Sequence, residues 1–249
     1  MEQVLVQVLN LKKHFKDRKR GKVEAVKGIS FEAHSGEIFG LLGPNGAGKT
    51  TALRMLATIL KPTDGTATIA GYDVVTDPDE ARRSLGFLSN DTGLYHRLTA
   101  REMIVYFGKL YKMTDDVIKQ RLDELCEMLD MSEFFNRRCG KLSSGQKQKV
   151  SISRTIIHDP PVLILDEPTT GLDVLASRNI VSSIRNARDK GKCVILSTHI
   201  MGEAERICDR IGIIHDGIIT AIGTVEELFD RFDARELETV FLRAVGETA

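Results

Sequence analysis

The run Ile38-Phe39-Gly40-Leu41-Leu42 is apolar and of strand length, and it leads straight into Gly43-Pro44-Asn45-Gly46-Ala47-Gly48-Lys49-Thr50. A helical pattern follows from about Lys49 to Leu60, until Lys61-Pro62-Thr63-Asp64-Gly65 breaks it. A strand, a glycine-rich loop and a Lys-Thr pair opening a helix restrict the fold more than anything else in the chain. Glycines let backbone N–H groups wrap an anion, and the helix N-terminus adds its positive dipole. In such a loop Lys49 reaches the β- and γ-phosphates of a nucleotide, while the Thr50 hydroxyl can ligate Mg²⁺. A chance match in a glycine-rich turn is the bland alternative, and the flanking strand and helix disfavour it.

Further apolar strands read at Leu85–Leu88, Val162–Asp166, Val194–Thr198 and Ile211–His215, with helical stretches between the last three. Buried strands alternating with helices indicate a mainly parallel sheet, so the chain reads as α/β. Ligands in such sheets gather beyond the strands' carboxyl ends. Two of these strands end in chemistry. Val162-Leu163-Ile164-Leu165 runs into Asp166-Glu167, and Val194-Ile195-Leu196-Ser197-Thr198 runs into His199. Asp166 suits the Mg²⁺ shell, because hydrated Mg²⁺ takes one or two carboxylates. Glu167 can polarise an attacking water, and His199 can hydrogen-bond a terminal phosphate. Solvated acids and a satisfied histidine would be the simpler reading of each alone; beside the phosphate loop the functional reading is stronger.

The remaining stretches organise the chain. Residues 4–9 and 26–33 read as short strands around a basic loop at 16–22, residues 66–74 as one exposed strand, and 78–84 as a short helix. The pattern turns helical between about 98 and 140. There Val117, Ile118, Arg121, Leu122, Leu125, Cys126 and Leu129 form a stripe, with Arg121 at an edge where it can snorkel. In a second helix Ile180, Val181, Ile184 and Ala187 share a face. The helical block at about 90–143 reads as an insertion, placed within approximately 90–160. The tail 225–249 reads as an amphipathic helix and an extra strand.

Composition narrows the partners. Lys+Arg and Asp+Glu both number 35, so no global field favours nucleic acid, and none is expected as the main partner. Cys126, Cys139, Cys193 and Cys208 form no CxxC pair and read as reduced thiols. No apolar run is long enough to cross a bilayer, so any path through a membrane must come from another polypeptide.

Leu142-Ser143-Ser144-Gly145-Gln146 lies about twenty residues before the acidic strand end. With the phosphate loop, the Asp-Glu pair and the strand-end histidine in this order, it resembles the LSGGQ signature of ATP-binding cassette (ABC) proteins. The match runs from about Val4 to Gly223. The resemblance implies a P-loop NTPase core with an N-terminal antiparallel β subdomain and an inserted α-helical subdomain, the cassette occupying 1–224. It implies ATP bound by Gly43, Pro44, Asn45, Gly46, Ala47, Gly48, Lys49, Thr50 and Thr51, with Phe15 against adenine, and hydrolysis by Glu167, His199 and Lys49. Ser143, Gly145 and Gln146 would serve the opposite subunit's nucleotide and Asp173 would cross the interface, making a head-to-tail homodimer with two ATP sites. Ser144 stands where LSGGQ has glycine. Asn90 stands where the family carries a Q-loop glutamine; its amide is one methylene shorter, and it is carried over as a nucleotide and Mg²⁺ contact, with Asp91 as a substitute.

The phrases GFLSNDTGLYHRLT, TTGLDVLASRNI and STHIMGEAERICDRIGIIHDG are most similar to ATPase subunits of ABC-2-type exporters, particularly Na⁺-extrusion cassettes of the NatA type. This resemblance implies a separate ABC-2 permease, export of Na⁺ or of a drug or lipid, and a place at the cytoplasmic face of the membrane. The segment from Phe87 to Tyr106, with Leu94, Tyr95, Leu98 and the adjoining Phe107, is the expected permease contact. A soluble ABC ATPase acting on DNA or ribosomes is the rival reading; such proteins usually carry two cassettes or coiled-coil insertions, and this chain shows neither.

Overall fold

The computed structural model describes residues 3–17, 21–89 and 93–246. β1 (Val4–Asp17) and β2 (Gly21–His34) pair antiparallel, and β3 (Ile38–Leu42) then enters a second sheet. Both opening strands run well beyond the spans read from sequence. Their alternation breaks at Asn10, whose φ is 49°, where the register between Val8 and Leu11 shifts. A bulge of this kind hides a long strand from a period-2 reading. After α1 (Lys49–Leu56) the chain returns to the first sheet as β4 (Asp64–Ile69) and β5 (Tyr72–Asp73).

Helix α1 stops four residues short of the expected Leu60. Thr58 takes a φ of 58°, and the N–H groups of Ile59 and Leu60 fold back on the Arg54 carbonyl. Residues 66–74, read as one strand, are two. Ala70 and Gly71, both at positive φ, make a tight turn between the paired Ile69 and Tyr72.

The second sheet has six strands in the order β10-β9-β3-β8-β7-β6, comprising β6 (Leu85–Leu88), β7 (Val162–Asp166), β8 (Cys193–Thr198), β9 (Arg210–His215) and β10 (Ile218–Gly223) with β3. All neighbours are parallel except β9 and β10. β3, β7 and β8 are buried along their whole length, as central parallel strands must be. β10 is absent from the sequence reading; Asp216-Gly217, at φ 47° and 78°, forms the hairpin turn that produces it.

Short α2 (Pro78–Arg83) precedes β6, and the expected insertion follows it as α3 (Ala100–Leu110), α4 (Asp115–Met128) and α5 (Ser144–Ile156). Ile118, Leu122, Leu125 and Leu129 are buried, whereas Val117 remains 47% exposed on the flank of the stripe. Arg121 snorkels as expected. Its guanidinium donates to the carbonyls of Ile156 at 3.0 Å and Ile157 at 3.3 Å, tying α4 to the end of α5.

α6 (Val174–Asp189) and α7 (Met201–Ile207) complete the core, with Ile180, Val181 and Ile184 buried and Ala187 packed at the edge. The tail forms two helices, α8 (Val225–Arg231) and α9 (Leu237–Ala244), and among the described residues it contains no strand. The expected extra strand is corrected by spacing. Leu237, Val240, Phe241 and Ala244 recur at helical intervals and pack on the core cluster, a face that a period-2 strand would split. No helix among the described residues is long and apolar enough to cross a membrane.

Candidate functional site

The sheet order sets β3, β8 and β7 side by side, so the loops leaving their carboxyl ends converge. Leu42 pairs with Thr198, and Asp166 pairs with Ser197. The glycine loop, His199 and the Asp166-Glu167 pair, up to 156 residues apart in sequence, therefore share one edge.

The glycine loop is held against the rest of the sheet. A Cβ at Gly43 would lie 2.1 Å from the Ile214 carbonyl oxygen, so only glycine lets the loop leave β3 so close to β9. Gly48 caps α1 at φ 105°, a conformation L side chains rarely adopt. Behind it Lys49 is buried, and its Nζ donates to the carbonyls of Gly43 at 2.7 Å and Pro44 at 3.1 Å. Pro44, Asn45 and Gly46 form the exposed rim of the loop, Ala47 is buried beneath it, and Thr51 is half-buried in the first turn of α1.

The Thr50 hydroxyl donates to Asp166 Oδ1 at 3.2 Å. One hydroxyl and one nearly buried carboxylate, adjacent at a phosphate loop, fit the protein share of a hydrated Mg²⁺ sphere. A second hydroxyl, that of Ser197, donates to the same Oδ1 at 2.6 Å. Among the described residues no cluster of three or more His, Cys, Asp or Glu side chains is placed to hold a metal ion.

Glu167 turns out of β7 at φ 49°, an unusual backbone for a side chain of its size. Its N–H donates to both the carbonyl and the hydroxyl of Ser197, at 3.2 and 3.1 Å, which holds the turn. Strain of this sort, secured by neighbours, concentrates at functional positions. His199 Nδ1 lies 2.9 Å from Glu167 Oε1, the Thr170 hydroxyl donates to Oε2 at 3.2 Å, and Lys49 Nζ stands 3.8 Å away. Burial works to raise the Glu167 pKa. The His199 hydrogen bond and charge, with Thr170 and Lys49, outweigh it and hold the group below the ordinary carboxylate value. For Lys49 burial dominates: despite Glu167 and Asp166, its pKa sits below the usual lysine value. The site thus carries an ionised carboxylate beside a lysine in a partly dry pocket.

A second cluster forms around the signature. Ser143 is the N-cap of α5, its hydroxyl accepting from Gln146 N–H at 3.3 Å while Gln146 Oε1 accepts from Ser143 N–H at 3.1 Å. This capping box takes up the Gln146 side chain and leaves the Ser144 and Gly145 N–H groups, which have no intrahelical partner in a first turn. Asp173 is the N-cap of α6, its carboxylate accepting from Ala176 N–H at 2.8 Å, and Gly145 packs beside Ala176. Gln148 Nε2 then donates to the Pro168 carbonyl at 2.7 Å, tying α5 to the chain one residue beyond Glu167.

Phe15 lies on β1, 40% exposed, with Lys13 Nζ 5.3 Å from its ring centroid. Asn90 and Asp91 lie outside the described residues. Just after them, the buried Arg154 of α5 donates to the Gly93 carbonyl at 3.0 Å and covers the Phe107 ring at 5.3 Å. Tyr95 and Tyr106 are exposed and meet edge to face at 5.8 Å, whereas Leu94, Leu98 and Phe107 are partly buried against the core. Sequence reading does not single out Ser197, Gln148, Arg154 or the buried Glu203 of α7. The hydroxyls of Ser197-Thr198 at the end of an apolar strand were the available signal.

Residues 26–170 match the profile of the ABC transporter family, which is more than half of the chain. The chain belongs to the ABC transporter family as its ATP-binding cassette. The ABC transporter ATP-binding protein NatA of Bacillus subtilis (strain 168) is 39% identical over 239 residues, covering 96% of this cassette and 97% of the relative. The linearmycin resistance ATP-binding protein LnrL of the same organism is 35% identical, covering 98% and 76%. The Nod factor export ATP-binding protein I of Rhizobium sp. (strain N33) is 37% identical, covering 97% and 78%. Among solved structures, the ATP-binding subunit of an ABC transporter superposes with a TM-score of 0.87 at 28% identity, over 97% of this cassette and 99% of that chain. A dimeric post-hydrolysis cassette bound to ADP and Pi superposes at 0.79 and 28% identity, over 88% and 98%. The cassette is an ATPase with the α/β P-loop fold expected from its sequence.

Proposed function

We propose that the cassette powers export through a separate membrane permease, hydrolysing ATP at two sites shared between two copies. The observation that carries this reading is the meeting of Lys49, Thr50, Asp166, Glu167, Ser197 and His199 at one sheet edge. The glycine loop and Lys49 hold the phosphates. Thr50 and Asp166 would hold Mg²⁺, which when bound neutralises charge on the β- and γ-phosphate oxygens. Glu167, kept ionised, accepts the proton of the attacking water as it adds to the γ-phosphorus, and the β–γ bridging oxygen leaves with ADP. His199 orients Glu167 through Nδ1 and offers Nε2 towards the γ-phosphate. Phe15 supports the adenine, and Asn90 is assigned to the Q-loop role.

The signature cluster fits the opposing half-site. Ser143 with the Ser144 and Gly145 N–H groups offers an anion-binding helix terminus, and Asp173 stands beside it at the start of α6. The dimeric relative bound to ADP and Pi supports pairing of two copies. Export is supported by relatives named for Nod factor export and for linearmycin and doxorubicin resistance. The NatA-type resemblance adds Na⁺ as the cargo and an ABC-2 permease as the partner. The permease seat is the exposed Tyr95–Tyr106 pair and the loop that Arg154 anchors, and the cassette proper is 1–224 with 225–249 as its appendage.

The test is Glu167→Gln in the cassette assembled with its membrane partner. ATP affinity is expected within about threefold of wild type, turnover reduced by about 100-fold or more, an ATP-stabilised dimer on size exclusion, and transport arrested. Hydrolysis at the wild-type rate would remove Glu167 as the base.

A further inference from the structure

Glu203 is the third residue of α7 and only 7% exposed, yet no salt bridge reaches it among the described residues. A carboxylate buried without a cation is costly unless donors satisfy it. Its donors are two threonine hydroxyls, one from the loop after β7 and one from the end of β8. Thr169 donates to Oε1 and Thr198 donates to Oε2, the latter at 2.6 Å. Thr169 lies two residues past Glu167, and Thr198 immediately precedes His199. The Thr198 hydroxyl also accepts from Ile200 N–H at 3.0 Å, so His199 is bracketed on both sides by groups leading to Glu203.

The ladder joining β7 to β8 ends at the Asp166–Ser197 pair, and the last main-chain bond between the two segments is the one from Glu167 N–H to the Ser197 carbonyl at 3.2 Å. Thr169, Thr170, His199 and Glu203 border a cleft of about 550 Å³, with Thr169 and Glu203 themselves buried at its wall. We propose that Glu203 is a positioning residue that clamps the loop carrying Glu167 to the loop carrying His199. It thereby sets the 2.9 Å contact between base and histidine. Gln148, bonded to the Pro168 carbonyl, fastens the same loop to the signature helix, so the clamp stands between the two half-sites of one chain. This rests on Glu167 and His199 acting as proposed above.

The experiment measures kcat and KM for ATP in Glu203→Ala, Glu203→Gln and Thr169→Val, with Glu167→Gln alongside. Loosening a catalytic pair by about 1 Å costs about 100-fold in rate, so Glu203→Ala is expected to lower kcat by about 10- to 100-fold. KM is expected to stay within about threefold, since Lys49, Thr50 and Asp166 are untouched. Glu203→Gln keeps the shape, can accept one hydroxyl and donate to the other, and is expected to retain kcat within about fivefold. Thr169→Val, which cuts one arm, is expected to fall between the two. A Glu203→Ala kcat within about twofold of wild type, or a rise in KM that accounts for the whole loss, overturns the clamp. An inactive Glu167→Gln with an unimpaired Glu203→Ala rejects the clamp alone, whereas a fully active Glu167→Gln rejects the base assignment beneath it.

Discussion

Gly43→Ala tests whether the phosphate loop depends on its approach to β9. The new Cβ would fall 2.1 Å from the Ile214 carbonyl oxygen and 3.0 Å from Ile214 Cγ2. Strand β9 lies between β3 and β10 and cannot yield without breaking a ladder, so the loop must move. Relief requires about 1 Å, and that displaces the carbonyl to which Lys49 Nζ donates at 2.7 Å. Overpacking of this kind costs about 1–3 kcal/mol. Expressed in ATP binding, the same energy is about a 5- to 150-fold loss of affinity, and a displacement of 1 Å at reacting groups costs about 100-fold in turnover. Titration with a fluorescent ATP analogue, with a thermal melt on the same sample, reads both. Wild-type affinity together with an unchanged melting temperature would refute the argument, because it would mean that the close approach constrains nothing.

Ser197→Ala removes a charge-assisted hydrogen bond from the buried Asp166 and is expected to lower stability in urea by about 1.5–3 kcal/mol; a loss under about 0.5 kcal/mol would deny the hydroxyl that role. His158 stacks on Tyr111 at 3.6 Å with Nε2 against the Leu85 carbonyl, and burial pushes its pKa down from 6.5 to about 4. The unfolded chain therefore takes up the proton first, so the contribution of His158 is complete above about pH 6.5 and drains as pH falls towards 4, by up to about 3 kcal/mol. His158→Phe should flatten that part of the stability–pH curve, and denaturant melts at several pH values that show the same slope in both proteins would contradict it.

The parts of the site legible in sequence are those whose chemistry is written within a few consecutive residues. Gly43 to Thr50, Asp166-Glu167 and Leu142 to Gln146 each announce themselves locally, and alternation of apolar strands with helices is enough to bring their ends to one edge. Contacts made across strands are not legible. Ser197 faces Asp166 through the β7–β8 register, and Glu203 meets Thr169 from 34 residues away. The bulge at Asn10 hides the length of the opening strands, and the tail 225–249 reads as a helix and a strand unless Leu237, Val240, Phe241 and Ala244 are seen to share one helical face. Val117 shows the limit of a stripe, since position on its flank leaves exposure to the neighbouring element.

The central claim is that each ATP site is built from the glycine loop of one copy and the signature of another. Two single variants, Lys49→Ala and Ser143→Arg, each damage every site in their own homodimers. Mixed in equal amounts, half of the dimers pair one variant with the other, and each of these contains one site carrying both defects and one carrying neither. ATPase activity of the mixture is therefore predicted to rise to about a quarter of the wild-type rate, well above either variant alone. A mixture no more active than the mean of the two separate variants would contradict the composite site.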